Sequence, residues 1–423
     1  MASRDPARYR PGRNHRETSP MRALAAALLL AATPVAGQDV GPAEPFTVAV
    51  PDAAIADLEA RIRATRWPDQ IPQTGWAYGA DTAYMKELAD YWVDGFDWRA
   101  QEARINAFNN FTAEIDGTTI HFIHERGAGP DAIPVLLLHG WPSTIVQFLD
   151  IIPLLTDPEA HGAPAGTQSF DVIAASLPGY GFSEIPDEPG FAINAIADRM
   201  DALMTDVLGY ERYGVRGSDI GKSVAQRLSI AHTENILGLH LTGALRGPTT
   251  YPPEPYSDAV ETFRRETAAW DGQELAYARM HVSKPQTIGT ALNDSPVGLA
   301  AWIVEKFHSW ADTATEDGRA IESRFSKDEL LTNVTVYWVT ETINPSMRLY
   351  YEFAREGLPN GVGDVPVGYL NALNDQVAVP RELIELNFAP VRYTETDSGG
   401  HFLEWEEPEL VAEDMRAFFG GLE

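Results

Sequence analysis

Residues 211–223 read ERYGVRGSDIGKS. Tyr213, Gly214 and Val215 have the character of the end of a buried strand, and Lys222 to Thr233 that of a helix. Between them lies the pentad Gly217-Ser218-Asp219-Ile220-Gly221. A sharp strand-to-helix turn strains its central residue, and small residues two before and two after it let the backbone pass without a clash. The pentad therefore predicts a nucleophile elbow with an aspartate at its tip. Small residues also occur at ordinary strand-to-helix turns, so the pentad alone decides little. Its weight comes from what surrounds it.

Upstream, Val135 to Leu138 is an uninterrupted apolar run, as a strand covered on both faces requires, and it ends in His139-Gly140-Trp141-Pro142. Phe170 to Ala175 predicts the next buried strand, and a helix over 192–208 leads into the elbow strand. Ile236 to Leu241 predicts a strand beyond the elbow helix. Further back, FTAEI and TTIHFIHE alternate around Asp116-Gly117, a hairpin signal. His121 and His124 fall on opposite faces of that second strand, which argues against a metal pair. Strands alternating with helices predict an α/β protein with a mostly parallel sheet and right-handed crossovers.

The alternation stops at residue 248. FRRETAAWDGQELAYARM, VGLAAWIVEKFHSW and LLTNVTVYWVTETI predict an all-helical insertion, a cap over the carboxyl edge of the sheet where α/β proteins bind ligands. Strands return at Val365–Tyr369 and Val391–Thr394, and a terminal helix starts at Pro408. Residues 46–110 read as helices, the first with Asp52 as its N-cap, the second through Tyr84, Leu88, Tyr91 and Trp92, and a short third near Trp98. The expected divisions are a leader (1–40), an N-terminal helical segment (41–110), the first part of the core (111–247), the cap (248–355) and the second part of the core (356–423).

The leader has its own character. Residues 1–20 are polar and basic, and MRALAAALLLAATPVAGQ from Met21 has the pattern of a secretory signal, with an apolar run too short to span a membrane. The expected location is secreted or periplasmic if the leader is cleaved and cytoplasmic otherwise. The 423-residue chain carries a net charge of −29, so it has no basic field for nucleic acid or an anionic membrane, and it contains no cysteine for disulfide, thiolate or zinc–thiolate chemistry.

A carboxylate nucleophile at the elbow would form an ester on its own side chain, and that ester needs a general base to direct water at it. His401 is the candidate base, in Asp397-Ser398-Gly399-Gly400-His401-Phe402, after the last strand and before the terminal helix. His232 and His308 lack that position. Asp375, in the loop after strand 365–369, is the candidate for the acid that orients the base, with Glu341 and Asp397 as rivals. The order Asp219, Asp375, His401 is the nucleophile–acid–histidine order of an α/β-hydrolase. Negative charge on the ester carbonyl calls for amide donors, and Ile220 N–H and Trp141 N–H are the candidates for this oxyanion hole. Trp141 and Ile220 are also expected to contact substrate. A departing oxygen needs a proton donor, and cap tyrosines keep their proton at neutral pH. Tyr251, Tyr256, Tyr277, Tyr337, Tyr350 and Tyr351 all qualify by pattern.

Taken together, these motifs resemble the α/β-hydrolase-fold epoxide hydrolases of the microsomal and juvenile-hormone branch. The resemblance runs over about residues 45–423. It is carried by Arg66-Trp67-Pro68, Ser283-Lys284-Pro285-Gln286-Thr287, the stretch Asp294 to Trp302, Glu305-Lys306-Phe307, Gly399-Gly400-His401-Phe402 and Glu406-Glu407-Pro408-Glu409. It implies an α/β-hydrolase fold with a helical cap and a helical N-terminal segment that wraps the core. It also implies conversion of a small apolar epoxide and water to a vicinal diol, with no cofactor or metal. By motif, Asp219 matches the nucleophile, His401 the base, Asp375 the orienting acid (where mammalian members carry Glu), and Tyr277 and Tyr350 the ring-opening tyrosines. Tyr351 beside Tyr350 leaves the register between those two open. No membrane span is expected in the mature chain, and assembly into a homo-oligomer stays open.

Two other readings compete. A haloalkane or haloacid dehalogenase shares the aspartate nucleophile but usually places Trp where this chain has Ile220. A non-catalytic hydrolase-fold binding protein would usually have lost its nucleophile or base, and neither is missing.

Overall fold

In a computed structural model the protein is described over residues 39–245, 249–315 and 318–422, so the leader expected at residues 1–40 lies almost wholly outside the described residues. The apolar runs become strands: β1 (Glu44–Pro45), β2 (Asn110–Ile115), β3 (Thr118–Glu125), β4 (Ile133–Leu138), β5 (Phe170–Ala175), β6 (Tyr213–Gly217), β7 (Ile236–Leu241), the minor hairpin β8 (Ala314–Thr315) and β9 (Gly318–Arg319), then β10 (Val367–Ala372) and β11 (Arg392–Thr396). The main sheet has the order β1-β2-β3-β5-β4-β6-β7-β10-β11. From β5 to β11 every neighbour is parallel, while β1, β2 and β3 form an antiparallel edge. Val135 to Leu138 and Val172 to Ala175 are fully buried, as continuous apolar runs in a two-faced parallel sheet require.

Helices α1 (Asp52–Arg63), α2 (Thr82–Asp94) and α3 (Trp98–Asn106) precede the hairpin β2–β3. Helices α4 (Ile151–Thr156), α5 (Ile193–Ala202) and α6 (Asp219–Ala231) cross between the parallel strands. Six helices then stand between β7 and β10: α7 (Asp258–Glu274), α8 (Ala276–Ser283), α9 (Pro285–Leu292), α10 (Pro296–Trp310), α11 (Lys327–Val339) and α12 (Ile343–Glu356). Finally come α13 (Arg381–Phe388), α14 (Leu403–Glu406) and α15 (Pro408–Phe419). Among the described residues no helix is long and apolar enough to cross a membrane. The N-terminal helices bind the inserted segment directly: Tyr91 donates to Asp328 (2.8 Å), the Trp92 indole to Thr335 (3.1 Å), and Arg61 pairs with Asp294 (2.9 Å), between α9 and α10.

Local chemistry corrects several expectations. Pro51, not Asp52, stands at the N-cap position of α1, without a side-chain cap; Asp52 heads the first turn, where its charge suits the helix dipole and pairs with Arg99. The run FRRETAAWDGQELAYARM is two helices, because Leu275 leaves helical geometry (φ −77°, ψ 1°) between α7 and α8. The third run also splits, at Glu341 (φ +54°), between α11 and α12. The insertion is not purely helical, since β8 pairs with β9. Strand β10 extends past Tyr369 because the polar Asn371 is satisfied inside the sheet, donating to Val379 C=O (2.9 Å).

At the elbow, α6 starts at Asp219 and not at Lys222. The Lys222 N–H already reaches Ser218 C=O (3.0 Å), so the first helical turn closes around the tip. Asp219 has φ +48°, a left-handed backbone that non-glycine residues seldom adopt. Both pentad glycines are enforced by contact. A Cβ at Gly217 would stand 2.5 Å from Gly221 O, and one at Gly221 would stand 2.1 Å from Leu138 O.

Candidate active site

Asp219 is presented at the end of β6, and the loop after β4 comes to meet it. That loop is held by His139, whose Nε2 accepts from Leu177 N–H (3.1 Å) and whose Nδ1 therefore carries the proton toward Gly140 C=O (3.1 Å). Gly140 has to be glycine, since a Cβ there would lie 2.4 Å from Asp219 Cβ. The loop continues through a cis Trp141–Pro142 bond. Trp141 N–H donates to Asp219 Oδ1 (2.9 Å), and the Ile220 N–H also bonds to this carboxylate. The carboxylate thus has two backbone donors.

The Oδ2 edge of Asp219 faces His401. Its Nε2 lies 3.7 Å from Asp219 Oδ2, and its Nδ1 lies 2.9 Å from Asp375 Oδ1. Asp375 is itself fixed by the N–H of Ala244 (3.0 Å) and of Gln376 (2.6 Å). The rivals sit elsewhere: Glu341 and Asp397 are exposed. Of the other histidines weighed, His232 pairs with Asp198 (2.9 Å) and His308 stacks on Trp76 (4.0 Å between centroids). Lys222, passed over in the sequence, donates to the carbonyls of Gly243 (3.0 Å) and Ala244, which places its charge near Asp375. Its place in the pentad's own helix, three residues after Asp219, was the available signal.

Electrostatics follow from this layout. Burial alone would raise the Asp219 and Asp375 carboxyls; hydrogen bonds and charge from His401, with the backbone amides, outweigh it, and both end below the usual carboxylate range. Burial alone would lower His401, but the two carboxylates push it up to about 10. An unfolded histidine titrates near 6.5, so this group's stabilising contribution is complete below about pH 6.5 and is lost as pH rises toward 10. The melting temperature of the wild type should therefore fall between pH 7 and 10, and His401→Gln should show a shallower fall over the same window. Equal slopes in a calorimetric pH series would contradict this charge assignment.

Two tyrosines close the site from above. The Tyr277 ring stacks on Trp141 (4.9 Å, 9°), and Tyr350 stands edge-on to both (6.1 Å and 6.0 Å), its hydroxyl bonded to Tyr277. Burial, then the neighbouring Tyr277 and Asp219, raise the Tyr350 hydroxyl well above the ordinary value, so it keeps its proton. Tyr351 points away, under the Arg355 guanidinium (3.1 Å), which separates it from its neighbour. Tyr337 donates to Ser143 C=O (3.1 Å) and Tyr256 lies under Arg264 (4.7 Å). Asp219, Ile220, Tyr277 and Tyr350 line a cavity of about 620 Å³ whose apolar wall includes Leu245, Leu275, Val282 and Phe353. Tyr251 lines it as well. The Trp141 ring is covered by Tyr277, so what Trp141 presents to the cavity side is its amide, and Ile220 lines the wall.

Residues 133–408 match the model of the alpha/beta hydrolase fold, and residues 43–148 match the epoxide hydrolase N terminus. Epoxide hydrolase 1 of Sus scrofa is 35% identical over 92% of this chain and 91% of its own. The chain belongs to the epoxide hydrolase family. Its members named here are enzymes, hydrolases acting on ether bonds. Among solved structures, the juvenile hormone epoxide hydrolase of the silkworm Bombyx mori is similar with a TM-score of 0.78 and 30% identity, covering 91% of this chain and 95% of that one. The epoxide hydrolase of Aspergillus niger is similar with a TM-score of 0.78 and 32% identity, covering 90% and 97%. This epoxide hydrolase family member thus shares its fold with them over most of its length.

Proposed function

We propose that the protein hydrolyses an apolar epoxide to a vicinal diol through an ester on Asp219. The observation that carries this reading is His401 standing between two carboxylates, 2.9 Å from Asp375 and 3.7 Å from Asp219, beneath a tyrosine pair. Trp141 N–H holds Asp219 Oδ1, so Oδ2, on the edge facing His401, is the oxygen that attacks the epoxide carbon. The carbon–oxygen bond opposite breaks, and the departing oxygen takes a proton from the Tyr277–Tyr350 pair. The His401 imidazolium is the nearby acid that restores that proton.

Esterification removes the Asp219 charge. His401 then keeps only Asp375 as a carboxylate partner, its hold on the second proton weakens, and neutral Nε2 can act as a base. It takes one proton from a water that attacks the ester carbon. The charge that develops on Oδ1 stays on the Trp141 and Ile220 amides, which are already in place. Collapse expels the diol with the water's other proton. The water's oxygen remains in the Asp219 carboxylate, and the starting ion pair is restored. An apolar cavity wall supports an apolar substrate.

A single turnover of styrene oxide in heavy-oxygen water tests the route. The label should enter the peptide containing Asp219, and the first diol should be unlabelled. Label in the first diol with none in Asp219 would mean that water attacks the epoxide directly. Replacing both Tyr277 and Tyr350 by Phe should slow esterification by at least about 10²-fold, the usual scale for loss of acid catalysis, measured in the same single-turnover assay.

A further inference from the structure

The family-specific run Glu406-Glu407-Pro408 has so far had no part in the chemistry. The structure assigns Glu406 as the positioning residue for the base: its buried carboxylate gathers the amides on both sides of His401 and ties them to the end of α10. Gly400 N–H donates to Oε2 (3.0 Å) and Phe402 N–H to Oε1 (2.9 Å). Asp312 N–H, two residues past α10, donates to Oε2 as well (2.8 Å). A contact with Phe402 alone would be an ordinary cap for the short helix α14. The other two donors belong to the residue before the base and to another element, and helix capping gives no reason for them.

The base loop has no slack. His401 N–H donates to Trp310 C=O (3.1 Å), and a Cβ on Gly400 would come within 2.6 Å of Asp312 N. Glu407 adds a second tie through Arg324 (2.7 Å), which also donates to Asp312 C=O (2.8 Å). The imidazole is thus held against two carboxylates by a loop whose two flanking amides share one carboxylate. Glutamine at 406 keeps the volume but turns one acceptor oxygen into a donor, so at least one of the three N–H groups faces another N–H.

This proposal rests on the ester route above, in which His401 serves the hydrolytic step far more than the alkylation step. Misplacing the base should therefore slow the two steps unequally. In the full chain with styrene oxide, Glu406→Gln should hydrolyse the Asp219 ester at least about 10-fold more slowly, with alkylation changed less than about 3-fold. Mass spectrometry should then find more esterified Asp219 at steady state than in the wild type. Equal slowing of both steps, or no change in either, would overturn the proposal while the wild-type ester leaves the route intact. Absence of an ester in the wild type would instead fail the route itself. If Glu406→Gln does not fold, hydrogen exchange on the wild type decides. The amides of Gly400, Phe402 and Asp312 should exchange at least about 100-fold more slowly than exposed loop amides such as those of Asp187 and Glu188, and exchange as fast as that loop would overturn the proposal.

Discussion

His401→Gln should alkylate Asp219 once and then stop. Nucleophile, amide donors and tyrosines all remain, so the ester forms, while its hydrolysis loses the imidazole in contact with Asp219. Removing a general base typically costs 10²- to 10⁴-fold, so diol production should fall by about that factor while intact protein gains the mass of one substrate. Asp219→Ala should form neither ester nor diol. Sustained turnover by either variant, followed by chiral chromatography of the diol, would remove the ester from the mechanism.

Arg216→Met should cost about 3–5 kcal/mol of stability, the usual penalty for stranding one member of a buried ion pair. Arg216 lies on the elbow strand and Glu404 three residues past His401, both essentially inaccessible and 2.9 Å apart. The pair therefore joins the strand that carries the nucleophile to the segment that carries the base. Arg216 Nη1 also donates to His240 Nδ1 (2.9 Å), whose Nε2–H goes on to Asp414 (2.9 Å). Burial holds His240 down at about 4, so it is neutral and relays hydrogen bonds without adding charge. Met at 216 removes the guanidinium and leaves the Glu404 carboxylate unpaired. The double variant Arg216→Met with Glu404→Leu should recover most of the loss, because neither charge is then stranded. Urea unfolding of the two variants measures the difference, and equal losses would show that the pair contributes nothing as a pair.

Much of the framework was legible because parallel strands buried on both faces leave continuous apolar runs. Phe170 to Ala175 and Ile236 to Leu241 agree with the strands residue for residue. Strand ends also place residues: Asp219, Asp375 and His401 each follow a strand of the parallel sheet, and the structure brings them within contact. Helix breaks inside the insertion were not legible. Neither Leu275 nor Glu341 is a Pro or Gly, and one (Glu341) adopts a positive φ that its residue type does not signal. Nor did helical pattern separate Tyr277 and Tyr350 from Tyr337. All three occupy buried positions on helices, and periodicity states which residues share a face but not which face meets the cavity.

The sequence by itself determined that this chain builds a parallel sheet, that its sharpest strand-to-helix turn carries Asp219, and that motifs across its length match one hydrolase branch. These follow from local rules: apolar runs, small residues where backbones cross, and the order of strand ends. Only the tertiary structure decided that Glu406 and the Arg216–Glu404 pair reach the base and the nucleophile strand, that Tyr351 turns away under Arg355, and that Trp141 offers an amide and not a ring. Each of those depends on contacts between residues far apart in the chain, and the burial that fixes their charge exists only once the elements have packed.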